Sequence, residues 1–485
     1  IGLDFNGANG NLVENIAIVS RDGQGAIGLH SRVDPTQAYY SDILIDGFDY
    51  GVSVDPFHAH FQALEHVTLR NQRVAGIRLI HGCASIRKLL FEGSGPAIQQ
   101  TTPAAYSILL DSELRGRPGE RALDIQAGEF FARNVSVSGF ASTIALAGKS
   151  VSTDSHIAEY SKSPPIAPFS AAPEKETSLD LPILDMPAFE WPSDISQWAN
   201  VDDYGAVGDG QADDSSAVQK AFDSGKPAVC FPRRAYRFEK TVFVPASVKR
   251  VNMMYSSLQG SSYVFDVNQE SDSPLLFEDG WDIGKFCLHS APRTVCFKHI
   301  ASSELYHNAN REPGATIFVT ASNGLGKQNN PLIRQQAYCR VINTESKQGP
   351  NFICDDSLLW VFGYKVEAGV ENFVVANGGR LEVLGGIANQ TAFGSRKLPA
   401  DANGELEYWH PVIEARDSSV SAILHSTGHW NRPDEGFANV VRDTKGSETR
   451  TLTWENLPNR PGGNAPGKTQ PRSFILPSYI SKRSN

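Results

Sequence analysis

The sequence predicts an all-β protein built from two tandem parallel β-helices, the second preceded by a short capping α-helix. Three observations carry this expectation. A short apolar-alternating strand recurs before residue 150, a glycine-rich acidic loop runs into a helical stretch near residue 210, and a proline-rich segment separates the two regions.

The recurring strand reads Asn15-Ile16-Ala17-Ile18, Asp42-Ile43-Leu44-Ile45, His66-Val67-Thr68-Leu69, Ile86-Arg87-Lys88-Leu89, Ser107-Ile108-Leu109-Leu110 and Asn134-Val135-Ser136-Val137. Copies fall roughly 20 to 27 residues apart, a period that marks a solenoid rather than one closed sheet. A leucine-rich repeat would need regularly placed leucines and an asparagine ladder, and neither is present. Strand alternation turns Ile43 and Ile45 inward, and Leu44 and Asp46 outward. One coil later Thr68 and Arg70 face outward, so Asp46 and Arg70 become neighbours on an outer face, about 4.8 Å apart from coil to coil. The first domain is bounded at 1–160. Ile1 already reads as mid-coil sequence, which suggests a processed or truncated amino terminus.

From Ser161 to about Asn200 the periodicity stops. Pro164, Pro165, Pro168, Pro173, Pro182, Pro187 and Pro192 leave no room for a helix, so 161–200 reads as an extended linker. Phe169, Leu181, Ile183, Phe189, Trp191 and Trp198 are too apolar for a free tether and imply packing along both domains.

The second domain, 201–455, opens on Asp203-Tyr204-Gly205-Ala206-Val207-Gly208-Asp209-Gly210. Asp213 or Asp214 then caps a helix that carries Ala217, Val218, Ala221 and Phe222 on one face, and Gly225 stops it. Strands follow at Val229-Cys230-Phe231, Tyr236-Arg237-Phe238 and Thr241-Val242-Phe243-Val244, then at coil-like spacing through Leu358–Phe362, Arg380–Leu384 and Ser419–Ile423. The tail, 456–485, is rich in Pro, Gly and Arg and is expected to wrap the outside.

A formal net charge of −10 and a pI near 5.7 argue against nucleic acid or an anionic membrane surface as a partner, and fit poorly with a polyanionic substrate. No apolar run reaches the length of a membrane span. Six scattered cysteines without a CxxC pair read as buried free thiols, with a Cys287–Cys296 hairpin bridge as the alternative. Residues 1–7 carry neither the basic start nor the apolar core of a signal peptide, and the expected compartment is extracellular or periplasmic.

The D-Y-G-A-x-G-D-G loop, followed by a helix and by V-x-F-P, x-Y-x-F and T-x-x-V-P strands, resembles the opening of the pectate-lyase-superfamily β-helix over about 60 residues. The tandem arrangement with a long linker is similar to glycoside hydrolase family 55. That resemblance implies right-handed helices and an inverting, exo-acting β-1,3-glucanase with its site in the cleft between them. Val361-Phe362-Gly363-Tyr364-Lys365-Val366-Glu367 stands where that family has L-Y-G-T-x-S-E-H, and Ala376-Asn377 matches its next element. Ile387-Ala388-Asn389-Gln390-Thr391 stands where the family's I-Q-T-E carries the proposed general acid. The resemblance therefore carries Glu367 over and leaves the acid unassigned.

Sugar cleavage by hydrolysis needs a proton donor and a base or nucleophile, which directs attention to carboxylates on an accessible face. Glu367 follows the apolar strand Leu358–Phe362, and Glu371 or Glu382 is its expected partner; alternation between Leu381 and Val383 turns Glu382 outward. The polar stretch with Asp46, His58, His60, Glu65, Arg70 and Gln72 supplies candidate substrate-binding groups, as do Asn389, Gln390 and Trp360. The expected partner is a polysaccharide or oligosaccharide, with no cofactor and the oligomeric state left open. The runner-up is a lyase acting on uronates, with Arg70, His66 or Lys365 as base and Ca²⁺ at Asp355-Asp356. A third reading is a non-catalytic glycan-binding or structural β-helix.

Overall fold

In the computed structural model the described residues are 1–5, 10–33, 37–56, 61–170, 176–309, 316–327, 330–346, 349–367, 370–390, 410–428, 437–458 and 474–483. Strands account for 62% of the structure and wind a solenoid of about 15 turns, with one α-helix among the described residues. The all-β expectation and the capping helix are both observed.

Each coil of the first half contributes a long strand and a short one to two parallel sheets. Gln37–Asp46, Phe61–Arg70 and Gly82–Glu92 stack in the long-strand sheet. All six strand copies read from the sequence lie in that sheet. The strands opposite, such as Phe48–Pro56 and the shorter Ala75–Leu79, are hidden in the sequence because glycines interrupt their apolar pattern. Those glycines are there for space. A Cβ on Gly51 would stand 2.7 Å from the carbonyl of Gly76 in the next coil and 3.0 Å from Leu69.

The long strands share a corner. Asn15, Asp42, His66, Lys88, Asp111 and Asn134 all have φ between 47° and 57°. Their neighbours pair in register, for example Ser41 with Glu65 and Ile43 with Val67, so the corners form a column. Asn and Asp enter this left-handed region at the lowest cost, and the Asn134 amide donates to Asp111 at 2.8 Å. Beyond the corner the predicted alternation holds: Ile43 and Ile45 are in the core, Leu44 and Asp46 half-exposed, Arg70 exposed. His156–Ser161 then pairs antiparallel with Glu129–Ser138 and stops further parallel stacking at that end.

The opening of the second helix is held by its aspartates. Asp213 caps the helix Ser215–Phe222 by accepting from Ser215 N at 3.0 Å, whereas Asp214 turns back to accept from Val207 N at 2.6 Å. Val218, Ala221 and Phe222 are buried against the core, with Ala217 packed beside them. The tail differs from expectation. Phe474–Ser481 is a buried strand, antiparallel to Ser419–Gly428, because alternate apolar residues on both of its faces find partners. The six cysteines carry free thiols, so the Cys287–Cys296 bridge is not formed. No helix among the described residues is long and apolar enough to cross a membrane.

The two helices lie side by side and bury a third apolar cluster between them, which joins Tyr39, Phe61 and Tyr106 to Tyr338, Trp360 and Phe362. Facing strands run in opposite directions. Tyr106, early in its strand, bonds Gly386 beyond the partner's corner at 2.9 and 3.1 Å, while Arg133, just before its own corner, bonds Glu382 early in the partner strand. Gly363 is a corner of the second helix (φ 88°), and a Cβ there would stand 1.9 Å from Phe61. Only glycine satisfies both conditions.

Candidate functional site

This geometry gives the seam two edges. One follows the corners of the first helix and is occupied by the linker. Asp185 receives Arg87 and Lys88, each at 2.6 Å, Asp180 receives Arg133 at 3.2 Å, and the carbonyl of Glu190 accepts from Arg250 at 2.8 Å. Leu179, Ile183, Met186 and Phe189 pack against the apolar cluster of the seam.

Along that edge the charged candidates are enclosed. Glu65 is 1% exposed and accepts from Tyr39 Oη at 2.5 Å, Arg87 at 2.8 Å and Arg340 of the second helix at 2.5 Å. Burial alone would raise its carboxyl, but the two guanidiniums outweigh that and hold it below the usual carboxylate range. Glu382, expected on the surface, is fully buried and doubly bonded by Arg133 at 3.0 and 3.1 Å, with Ser421 at 3.3 Å. Its outward direction is correct; what lies outward is the other helix. Both carboxylates fasten one helix to the other, and neither presents an oxygen to a substrate.

The second edge follows the corners of the second helix, Val341, Gly363 and Gly385. Four residues past these corners stand Glu345, Glu367 and Asn389, one on each of three adjacent coils. Glu367 and Asn389 are Cα partners. Lys365, 3% exposed at its side chain, bonds Glu367 at 2.8 Å and Glu345 at 3.3 Å, and those two carboxylates remain 24% and 40% exposed. Asn343 donates to Glu345 at 3.3 Å. Lys327 lies in the field of both Glu345 and Glu304, and Glu304 accepts from Tyr263 at 3.1 Å and Asn330 at 3.0 Å. The polar row therefore continues along the solenoid axis.

Because Glu345 and Glu367 reach one ammonium, their nearest oxygens are at most about 6 Å apart, close enough to act on one bond. Glu345 was not among the residues the sequence singled out. The signal for it was positional: it stands two residues after Asn343, as Glu367 does after Lys365.

The remaining candidates fall elsewhere. Glu371 is nearly buried and pairs with His410 at 2.6 Å; burial raises its carboxyl, but His410 prevails and the net shift is downward. Trp360 is fully buried in the seam, stacked on Phe362 at 5.6 Å, so it offers no sugar platform. Gln72 is also fully buried and donates to the carbonyl of Ile45 at 3.1 Å, which makes it part of the coil wall. Asp46 and Arg70 do pair in register, but Asp46 accepts from Asn71 at 2.8 Å and Arg70 faces Glu92 at 3.3 Å. Asp355 accepts from Asn377 at 2.7 Å, and Asp356 faces Arg334 at 3.5 Å. His425, one coil beyond Ile387, packs edge-on to Tyr106, and burial pushes its imidazole down to about 4. His58 and His60 lie outside the described residues, as does the side chain of Gln390.

Residues 198–269 match the family described as rhamnogalacturonase A/epimerase, pectate lyase-like. That segment is the capping helix and the first coils of the second solenoid. Together with the coiled architecture, the match supports a pectate-lyase-superfamily parallel β-helix. No curated protein matches the chain.

Proposed function

We propose that this carbohydrate-active β-helix is a glycoside hydrolase whose site lies on the open edge of the seam. Glu345 and Glu367 share the acid and base work at a glycosidic bond, and Asn389 binds a sugar hydroxyl. One observation carries the reading: two partly exposed carboxylates, on adjacent coils, converge on a single buried ammonium. Hydrolysis needs such a pair on one accessible face. Lys365 holds the pair at its spacing before substrate arrives, and a bound sugar ring would compete with it for their oxygens.

A neutral glycan such as a β-glucan suits an acidic chain with net charge −10 better than a polyuronate does. The matched family's description names enzymes of pectic glycans, but that match ends at residue 269, well before Glu345, so it supports glycan chemistry in general. The test is a polysaccharide screen scored for new reducing ends and for unsaturated, ultraviolet-absorbing ends. Reducing ends alone, lost in Glu367→Gln, support hydrolysis. Unsaturated ends from a uronate polymer would replace it with the lyase reading, and absence of both with a binding role.

A further inference from the structure

A second, unassigned recess opens where the seam begins, beside the linker. The first long strand, Asn11–Val19, meets Ser271–His289 and Arg293–Asn308 there. Two adjoining cavities of about 400 and 410 Å³ share Glu14, Asn15, Phe189, Arg250 and Lys298 as walls. On the inner wall stands Arg340, whose guanidinium is held on several sides: Nε by Glu65, Nη2 by the carbonyl of Leu184 with Asp185 at 3.5 Å, and its flat face over Trp360 at 5.2 Å. It is a fixed part of the wall.

At the mouth stands Trp191, 57% exposed. Its indole is fixed by the Arg250 guanidinium 4.4 Å from the ring centre and by Trp198 at 5.1 Å. An exposed indole held in place is a ready surface for the C–H face of a sugar ring. The charges between these ends are matched internally, Glu14 with Lys298 at 2.5 Å and Glu278 with Arg250 at 2.6 Å. Across the two cavities six carboxylates stand against three lysine and arginine side chains, which disfavours an anion, whereas paired carboxylates and amides still accept and donate to hydroxyls.

We propose that this recess is a second glycan-binding site, which takes a short neutral oligosaccharide with Trp191 as its platform and its hydroxyls against the polar walls. It takes the ligand class from the function proposed above but none of that site's residues. The site would hold the polymer at one end of the seam while the open edge acts on another stretch.

The experiment is calorimetric titration of the Glu367→Gln protein with laminari-, cello-, xylo- and mannopentaose, and with a galacturonate pentamer as the acidic counterpart. At least one neutral pentamer should bind, and Trp191→Ala should weaken that binding at least tenfold or remove one of two sites. Turnover of a small chromogenic glycoside by the otherwise wild-type Trp191→Ala protein should be unchanged. Binding that persists undiminished in Trp191→Ala, tighter binding of the galacturonate pentamer, or failure of all four neutral pentamers would overturn the proposal. Trp191-dependent binding by a protein that yields no product from any polysaccharide would uphold this site while removing the hydrolase reading.

Discussion

On the linker edge of the seam, Glu65 meets two guanidiniums and a tyrosine hydroxyl with 1% of its surface exposed. On the opposite edge, Glu345 and Glu367 share one ammonium and keep 40% and 24% of their side chains in solvent. The same residue type, on the outward positions of the same kind of coil, meets two different environments. A carboxylate with every lone pair satisfied away from water is a fastening, and its removal strands the charges around it. A carboxylate with an open side can exchange a partner for a substrate.

The largest expected effect separates the two edges by activity. Glu367→Gln should lower turnover by roughly 10²–10⁴-fold, the range for loss of an acid–base group, with unfolding in urea little changed. A melting transition that falls in parallel with the activity would place Glu367 among the fastenings. Glu65→Ala should do the reverse. It leaves Arg87 and Arg340 facing each other without their shared carboxylate, at a cost of roughly 3–5 kcal/mol read from urea unfolding. Gly363→Ala combines a left-handed φ with a clash on Phe61 and should cost about 1–3 kcal/mol, unless the helices separate slightly to admit the methyl.

Acid sharpens the contrast. Burial raises the Glu65 carboxyl, the guanidiniums lower it further, and the folded value ends below the unfolded one. Such a group adds stability that is complete above the unfolded value of about 4.3 and is lost as pH falls through the folded value. The wild-type stability curve should therefore fall more steeply below about pH 4 than that of Glu65→Gln. Equal slopes would mean that the pair does not hold its proton balance. The smallest effect belongs to the outer face: Arg70→Ala, which loses only an exposed contact to Glu92, should change stability by no more than about 0.5 kcal/mol.

The repeating strands were legible because apolar alternation in the long-strand sheet survives on both sides of the corner, and because Asn or Asp occupies most of the corners. The short-strand sheet was hidden by the glycines that let one coil approach the next. The proposed site was legible only in part. Glu367 followed from its place after an apolar strand and from a family resemblance. Glu65, Glu382 and Trp360 looked like site residues because a strand pattern tells which way a side chain points, not what stands opposite. For these three the opposite wall is the other solenoid, and only the packing of the helices turns an outward carboxylate into a buried ion pair. Glu345 went unseen for the complementary reason: its importance comes from sharing Lys365 with a residue one coil away.

The central claim is that the open edge, not the linker edge, carries the chemistry. Its most direct measurement is the rate of reducing-end release from the best polysaccharide of the screen, compared between Glu345→Gln, Glu367→Gln and Glu65→Gln. The account predicts that both open-edge variants fold with near wild-type melting transitions and lose activity by at least about a hundredfold, while Glu65→Gln melts earlier and, below its transition, retains most of its rate. Full activity in either open-edge variant, or a folded Glu65→Gln that is inactive, would contradict it.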